Sequence, residues 1–229
     1  MIGIIIELII SWILLKFIEK KNLSVLGFKV FASRLNNLGT GFLLAAVACS
    51  LYHVMTTSFI DNTWVINKEM TVQKILAGIW WVLKSVVFEE LLFRGALLYI
   101  AIQKLGDKKA CILSAICFGF YHWFSYNAFG NPVQMGIIFF MTGIFGYVLA
   151  ISFAKTQSLY LPIGLHLGWN LFNILVFSNG PLGKQFLMKA NDHHLEGIIS
   201  LIVFLFQIFA LPALVYGYFR FFKVCRSND

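Results

Sequence analysis

Long apolar segments alternate with short polar ones along almost the whole chain. About seven of them approach the ~20 residues that a membrane-spanning helix needs, at 2–18, 41–60, 75–102, 110–127, 133–153, 158–178 and 196–222. The polar breaks between them are too short to form a separate water-soluble core. The pattern therefore predicts an all-α, polytopic integral membrane bundle of about seven transmembrane helices.

Composition and charge support a membrane location. Hydrophobic residues make up 59% of the chain and charged residues 12%, about half the ~25% usual in soluble domains. The net charge is +8, and the Lys and Arg residues are concentrated in every second loop along the chain. This distribution indicates membrane topology and no nucleic-acid partner. The basic loops hold Lys16, Lys20, Lys21, Lys29 and Arg34, then Lys104, Lys108 and Lys109, then Lys155, and finally Arg220, Lys223 and Arg226, whereas the opposite loops hold Lys68, Lys74, Lys184 and Lys189. The positive-inside rule then predicts an outer N-terminus and a cytoplasmic C-terminus.

The chain reads as one structural unit with three parts. Residues 1–74 supply N-terminal transmembrane helices and loops, residues 75–178 a core with the candidate chemistry, and residues 179–229 an outer loop and a last helix. The first apolar segment lacks a preceding basic stretch and a following small-residue cleavage site, so we expect a retained helix and no signal peptide.

Three ionisable side chains interrupt the third apolar segment. Glu89, Glu90 and Arg94 each cost about 2.5–3.5 kcal/mol at the centre of a membrane helix, so they need partners or a wet cavity. Glu90 and Arg94 are four residues apart and can pair on one helical face, which a purely structural salt bridge would also explain. Glu89 points about 100° away around the helix and requires another partner.

Two later segments supply polar side chains at a similar depth. The fourth segment carries His122, and the sixth carries His166 and Asn170, which share one helical face. Counting 1.5 Å per residue from the basic loops places Glu89 and both histidines about 15–20 Å into the membrane. Either histidine alone is equally well explained by a hydrogen bond between helices. The whole set indicates a functional site.

The residue types indicate hydrolysis of an amide by activated water. Glu89 in an apolar pocket can take a proton from water, and a neighbouring histidine can orient that water or protonate a leaving amine. His166 and Asn170 can donate hydrogen bonds to a developing oxyanion. Neither a serine nor a cysteine nucleophile is indicated, because no such residue has an evident base.

Three ordered motifs resemble those of the CPBP family of intramembrane proteases. They are EELLFR with Glu89, Glu90 and Arg94, then FGFYH with Phe118 and His122, and then HLGWN with His166 and Asn170. This family contains the CAAX prenyl endopeptidases of the Ras-converting type and the bacterial, Abi-like proteins linked to bacteriocin processing and self-immunity. One E-E-x-x-x-R motif is weak, but three in order, each within an apolar segment, are specific.

The resemblance implies a multi-helix endopeptidase and assigns a role to each motif residue. Glu89 would activate the attacking water, and His122 would assist it. His166 and Asn170 would stabilise the oxyanion, and Glu90 and Arg94 would hold the site together. Glu89, His122 and His166 also match zinc ligands in type and number, so zinc or another divalent metal and a metal-free mechanism both stay open.

The expected partners are the lipid bilayer of a bacterial plasma membrane and a peptide or membrane-protein substrate. For a bacterial source, leader peptides, bacteriocins or membrane proteins fit better than prenylated proteins. Two other functions remain open: a catalytically silent scaffold or immunity protein, and a proton-coupled transporter. A transporter would be expected to show internal repeats, and the sequence shows none.

Glycines within the spans, Gly143 and Gly146 among them, are expected only to allow close helix packing.

Overall fold

Helices make up nearly all of the regular structure in the computed structural model, which describes residues 1–222. Lys223 and Arg226, counted above with the cytoplasmic charges, lie outside the described residues. The α-helices in this range are α1 (Ile2–Leu14), α2 (Ala32–Ser58), α3 (Val72–Arg94), α4 (Ala96–Leu105), α5 (Asp107–Ser125), α6 (Pro132–Thr156), α7 (Tyr160–Asn170) and α8 (Gly197–Phe221). Leu15–Glu19 and Leu171–Val176 continue α1 and α7 as π-helical turns, and Leu23–Leu26 is a 3₁₀ helix.

The helices follow the predicted apolar segments with two differences. The helix α2 begins at Ala32, before the predicted start at residue 41, so Arg34 lies in its first turn and not in a loop, and one predicted span is divided. The third predicted span, 75–102, is divided at Gly95, whose backbone leaves the helical region between α3 and α4. A side chain at Gly95 would collide with the carbonyl oxygen of Leu91, so only glycine fits this break. The break comes directly after Arg94 and ends the charged turn of α3.

Three of the described helices are long and apolar enough to cross a membrane: Ala32–Ser58, Pro132–Thr156 and Gly197–Phe221. The helices α1, α4 and α7 are shorter, and α3 carries the charges of Lys74, Lys84, Glu89, Glu90 and Arg94. The nearly all-α membrane class is therefore confirmed, while the count of seven spans stays a prediction.

Close packing of α2 against α7 fixes the position of His166. Gly164 and Gly168 lie on either side of this histidine, and a side chain at either glycine would collide with a backbone carbonyl of α2, that of Leu38 or Phe42. Small residues four apart allow two helix backbones to approach in this way. Elsewhere α5 pairs with α6, α8 packs on α2 and α6, and α1 lies against α3.

Loops that the charge pattern assigns to the same side of the membrane meet in the structure. On one face, strand β1 (Trp64–Ile66) pairs antiparallel with β2 (Leu187–Lys189), which joins the loops after α2 and α7. On the other face, Lys104 forms an ion pair with Glu19 at 3.4 Å, and the amide of Leu159 donates to Leu26. The short sheet is an addition to the predicted all-α fold.

Large apolar side chains cover the outside of the bundle. Examples are Phe140, Ile202 and Phe209, each more than half exposed. A soluble monomer rarely exposes so much apolar surface, whereas lipid accommodates it. Together with the three span-length helices, this surface identifies an integral membrane protein.

Candidate active site

A fully buried ion pair lies at the C-terminal end of α3. Arg94 Nη1 is 3.1 Å from Glu90 Oε1, and both side chains are 0% exposed. Arg94 Nη2 donates to the carbonyl oxygen of Gly146 on α6 at 3.0 Å, and the guanidinium lies 4.1 Å from the ring centroid of Phe118 on α5. Arg94 therefore joins three helices through a charge that has partners on several sides.

The same glutamate fixes the orientation of His166. Its Nδ1 lies 2.7 Å from Glu90 Oε1, a distance typical of a charge-assisted hydrogen bond. Because a carboxylate that is paired with arginine accepts and does not donate, Nδ1 carries the proton. The other ring nitrogen, Nε2, then faces Glu89 Oε2 at 3.8 Å.

Glu89 lies in a more open environment than Glu90. Its Oε1 accepts a hydrogen bond from Ser85, one helical turn earlier on α3, at 3.2 Å. Its Oε2 is 3.9 Å from Nε2 of His122 and 3.8 Å from Nε2 of His166. This oxygen is buried without a hydrogen-bond partner among the residues that the structure describes.

Three hydrogen-bond acceptors converge in this site. His122 donates from Nδ1 to the carbonyl oxygen of Phe118 at 2.8 Å, so its Nε2 is a lone-pair acceptor, as in neutral His166. Two imidazole lone pairs and a carboxylate oxygen thus face one another. Such a set suits a species that donates hydrogen bonds or accepts lone pairs, namely a water molecule or a metal cation.

The distances lie between the values that these two species require. Ligands around tetrahedral zinc are about 3.3 Å apart, whereas acceptors that share a water are about 4.6 Å apart. Within residues 1–222, no group of three or more His, Cys, Asp or Glu side chains has the arrangement of a metal site. The three side chains are of the types that bind zinc, but their nitrogen and oxygen atoms lie farther apart than zinc ligands do. Metal binding therefore stays a prediction.

The converging groups open onto a cavity of about 700 Å³. Asn170, at the end of α7, lines this cavity together with Glu89, His122 and His166, while Glu90 and Arg94 lie behind it. Its walls are mixed, with aromatic and amide side chains from several helices and from the loops that follow two of them: Trp81, Tyr121, Tyr126, Phe145, Trp169, Asn173, Asn179 and Gln207. A cavity of this size and character can hold a few residues of a peptide.

Several residues in and around the site were not predicted from the sequence. Ser85 had a usable signal, since it precedes Glu89 by four residues on one helix. Gly146 was expected only to allow packing, but its carbonyl also accepts from Arg94. His53 is a buried ionisable residue within a span, a feature that indicates function by default, and it lies outside the three motifs.

A comparison with protein-family models defines the relationship of this site to known proteins. Residues 71–172 match the family model described as type II CAAX prenyl endopeptidase Rce1-like. The matched segment contains all six motif residues, Glu89, Glu90, Arg94, His122, His166 and Asn170. No curated protein matches the chain.

The fold and the site define a helical membrane protein with a buried glutamate and histidine centre. The family match confirms the resemblance seen in the motifs: this central segment is similar to the type II CAAX prenyl endopeptidases.

Proposed function

We propose that the protein is an intramembrane endopeptidase in which Glu89 activates a water molecule for attack on a peptide bond. The observation that carries this proposal concerns Glu89 Oε2, which has no hydrogen-bond partner within residues 1–222. It faces the Nε2 atoms of His122 and His166 at the wall of a peptide-sized cavity. A carboxylate in this position can accept a proton from water, and the cavity beside it has space for a substrate.

In the proposed reaction, a water molecule lies against Glu89 Oε2 and the lone pair of His122 Nε2. Glu89 takes one proton of the water, and the remaining hydroxide oxygen bonds to the carbonyl carbon of the substrate. The carbonyl becomes a tetrahedral oxyanion. When the C–N bond breaks, Glu89 returns the proton to the leaving amine, so that proton and charge balance over the cycle.

Asn170 and His166 would stabilise the oxyanion. The side-chain amide of Asn170 is a neutral donor that lines the cavity beside Glu89. His166 can donate from Nε2 only when that nitrogen also carries a proton, and Glu90, facing Nδ1 at 2.7 Å, is the charge that would balance the imidazolium. The buried Glu90–Arg94 pair holds His166 in place for this role.

A divalent metal would be held by Glu89, His122 and His166. Zinc bound there would lower the energy of deprotonating water and polarise the substrate carbonyl. The roles of Asn170, Glu90 and Arg94 are the same with or without the metal, because none of these side chains belongs to the expected ligand set.

We infer a peptide segment in or at the membrane as the substrate. The family match favours cleavage of the CAAX type. The aromatic side chains in the mixed cavity walls suit a hydrophobic segment such as part of a leader peptide, a bacteriocin or a membrane protein. With a bacterial plasma membrane as the location, the charge pattern sets the N-terminus outside and the C-terminus in the cytoplasm.

The decisive test compares the wild type with Glu89→Gln, which keeps the size of the side chain and removes its charge. Both proteins, purified in detergent, are assayed against a library of membrane-proximal fluorogenic peptides, with and without a chelator and zinc add-back. We expect Glu89→Gln to lower kcat/KM by about 10²–10⁴-fold at unchanged thermal stability.

Each outcome separates the competing functions. Loss of wild-type activity on chelation, restored by zinc, would establish the metal. Activity that resists the chelator would establish the metal-free glutamate mechanism. Equal inactivity of both proteins across the library would reject the endopeptidase in favour of the scaffold or immunity function, and loss of proton-coupled flux in Glu89→Gln would favour the transporter.

A further inference from the structure

A second buried histidine lies on α2, outside the family motifs. His53 is 2% exposed and is not among the residues that line the catalytic cavity. Its Nε2 lies 2.9 Å from Oδ1 of Asn173, on the π-helical turn that continues α7. Because an amide oxygen only accepts, His53 donates this hydrogen bond.

The hydrogen bonds of Asn173 fix which way its amide points. Its Nδ2 donates to the carbonyl oxygen of Asn179 at 2.7 Å, and its Oδ1 also accepts from Nδ2 of Asn179 at 3.1 Å. The backbone amide of Asn179 donates to the carbonyl oxygen of Asn173 at 2.9 Å. Asn179 is thus held to Asn173 by three hydrogen bonds, and His53 holds the amide that makes two of them.

The residues held in this way form part of the catalytic cavity. Asn173, Asn179, Gly180 and Pro181 line the same cavity as Glu89. Gly180 is pressed against the turn below it, since a Cβ there would lie 2.7 Å from Ile174 Cγ1. We call residues 179–181, which are one part of the cavity lining described above, the cavity wall.

Aromatic side chains keep the His53 ring in position. It stacks on Phe177 with a centroid distance of 4.4 Å and an interplanar angle of 13°, and it meets Trp64 edge-on at 5.7 Å. Trp64 also donates from Nε1 to the carbonyl oxygen of His53 at 3.2 Å. Such packing restricts the ring to one rotamer, so its Nε2–H has a fixed direction.

We propose that His53 is a positioning residue which, through Asn173, fixes the cavity wall against which the substrate peptide packs. This inference rests on the proposed endopeptidase function. His53 touches neither the reacting atoms nor the cavity, so its effect reaches the substrate only through Asn173 and the wall.

The far end of the same loop has its own anchor, which supplies a matched control. Asn62 Nδ2 donates to the carbonyl oxygens of Asn191 at 3.1 Å and His193 at 3.0 Å, and none of these three residues lines the cavity. Asn62→Ala therefore loosens the loop without touching the wall.

The test uses the full chain in detergent and has two readouts. Hydrogen exchange of a peptide that begins at or before residue 177 and covers residues 178–182 reports the amide of Asn179 and needs no activity. Kinetics with the fluorogenic peptide that the wild type cleaves fastest report positioning. Four variants are compared. His53→Phe keeps the stacking and removes the hydrogen-bond donor, and His53→Gln restores a donor. Asn173→Ala removes the acceptor of the same hydrogen bond, and Asn62→Ala is the control.

We expect faster exchange at the wall in His53→Phe and Asn173→Ala, and wild-type exchange there in Asn62→Ala. KM should rise about threefold to tenfold in His53→Phe while kcat stays close to wild type, because one hydrogen bond to the wall is lost and the reacting groups are intact. His53→Gln should recover most of the change. The double variant His53→Phe with Asn173→Ala should be no worse than Asn173→Ala alone.

Unchanged exchange at the wall in both His53→Phe and Asn173→Ala would overturn the inference. So would an equal rise of KM in Asn62→Ala, or the absence of any recovery in His53→Gln. If the wild type and Glu89→Gln are both inactive, the endopeptidase proposal fails and the kinetic role fails with it. Hydrogen exchange alone then decides whether His53 holds the wall.

Discussion

Two adjacent glutamates on α3 have opposite environments. Glu90 is fully buried, paired with Arg94 at 3.1 Å and with His166 at 2.7 Å. Glu89 is 12% exposed and has one hydrogen bond, from Ser85, while its other oxygen faces two imidazole nitrogens at 3.8 and 3.9 Å. Glu90 is held through Oε1 away from the cavity, and its Oε2, like that of Glu89, has no hydrogen-bond partner among the described residues. The difference is that the free oxygen of Glu89 faces two imidazoles and that Glu89 lines the cavity.

In the proposed mechanism, one helical turn serves both structure, through Glu90, and reaction, through Glu89. The side chains of successive residues in an α-helix point about 100° apart around the helix axis. Glu90 therefore faces into the helix bundle, whereas Glu89 faces the cavity. The buried pair limits the motion of His166, which is the residue that both glutamates contact. In such a preorganised site the neighbouring groups are held in place while Oε2 of Glu89 keeps its lone pairs available.

The largest expected effect follows from breaking the buried pair. Arg94→Met removes the charge at similar length and leaves Glu90 buried without its partner, which should cost about 3–5 kcal/mol of stability. The measurement is thermal unfolding in detergent. The double variant Glu90→Gln with Arg94→Met removes both charges and should lose less than Arg94→Met alone, because no charge is then left uncompensated. An unchanged unfolding temperature in Arg94→Met would contradict the anchoring role.

A smaller effect should follow from crowding the same pair. A Cβ on Gly146 would lie 2.8 Å from Phe118 Cδ1 and 3.1 Å from Arg94 Nη2, so Gly146→Ala should cost about 1–3 kcal/mol. The matched control is Gly143→Ala, where the nearest atom is the carbonyl oxygen of Ala115 at 3.6 Å. This variant should be neutral or slightly stabilising, since alanine favours the helix more than glycine does. Equal unfolding temperatures for the two variants would show that space around Arg94 is not limiting.

The sequence predicted the parts of this comparison that depend on local spacing. Apolar segments of span length predict helices because lipid leaves the backbone no other partners, and the helices lie where the pattern indicated. The four-residue spacing predicted the pairing of Glu90 with Arg94, and the distance between them is 3.1 Å. The family resemblance drawn from three motifs is confirmed by the match over residues 71–172.

Contacts between distant parts of the chain could not be predicted in the same way. His53 and Asn173 are 120 residues apart, and nothing in the local pattern of either helix indicates that they meet. The pairing of β1 with β2 joins two strands of three residues each, which is too short for an alternating strand pattern, although Trp64, Val65 and Ile66 are strand-forming types. The division at Gly95 depends on one backbone conformation within an otherwise continuous apolar run. These features depend on the three-dimensional arrangement of the chain, which the local pattern of a single sequence does not reveal.

The smallest expected effect concerns the single hydrogen bond that orients Glu89. Ser85→Ala removes the donor to Glu89 Oε1, while Oε2 still faces both histidines. Loss of one such bond is worth about 0.5–1.5 kcal/mol, so kcat should fall about twofold to tenfold at unchanged thermal stability. Ser85→Thr keeps the hydroxyl and should recover most of the rate. The matched control is Ser114→Ala, which removes a similar bond, from Ser114 on α5 to the carbonyl oxygen of Phe93 at 3.0 Å, without touching either glutamate. If Ser114→Ala lowered kcat as much as Ser85→Ala, the loss would reflect general loosening of α3, and the distinction between an anchored Glu90 and an oriented, reactive Glu89 would fail.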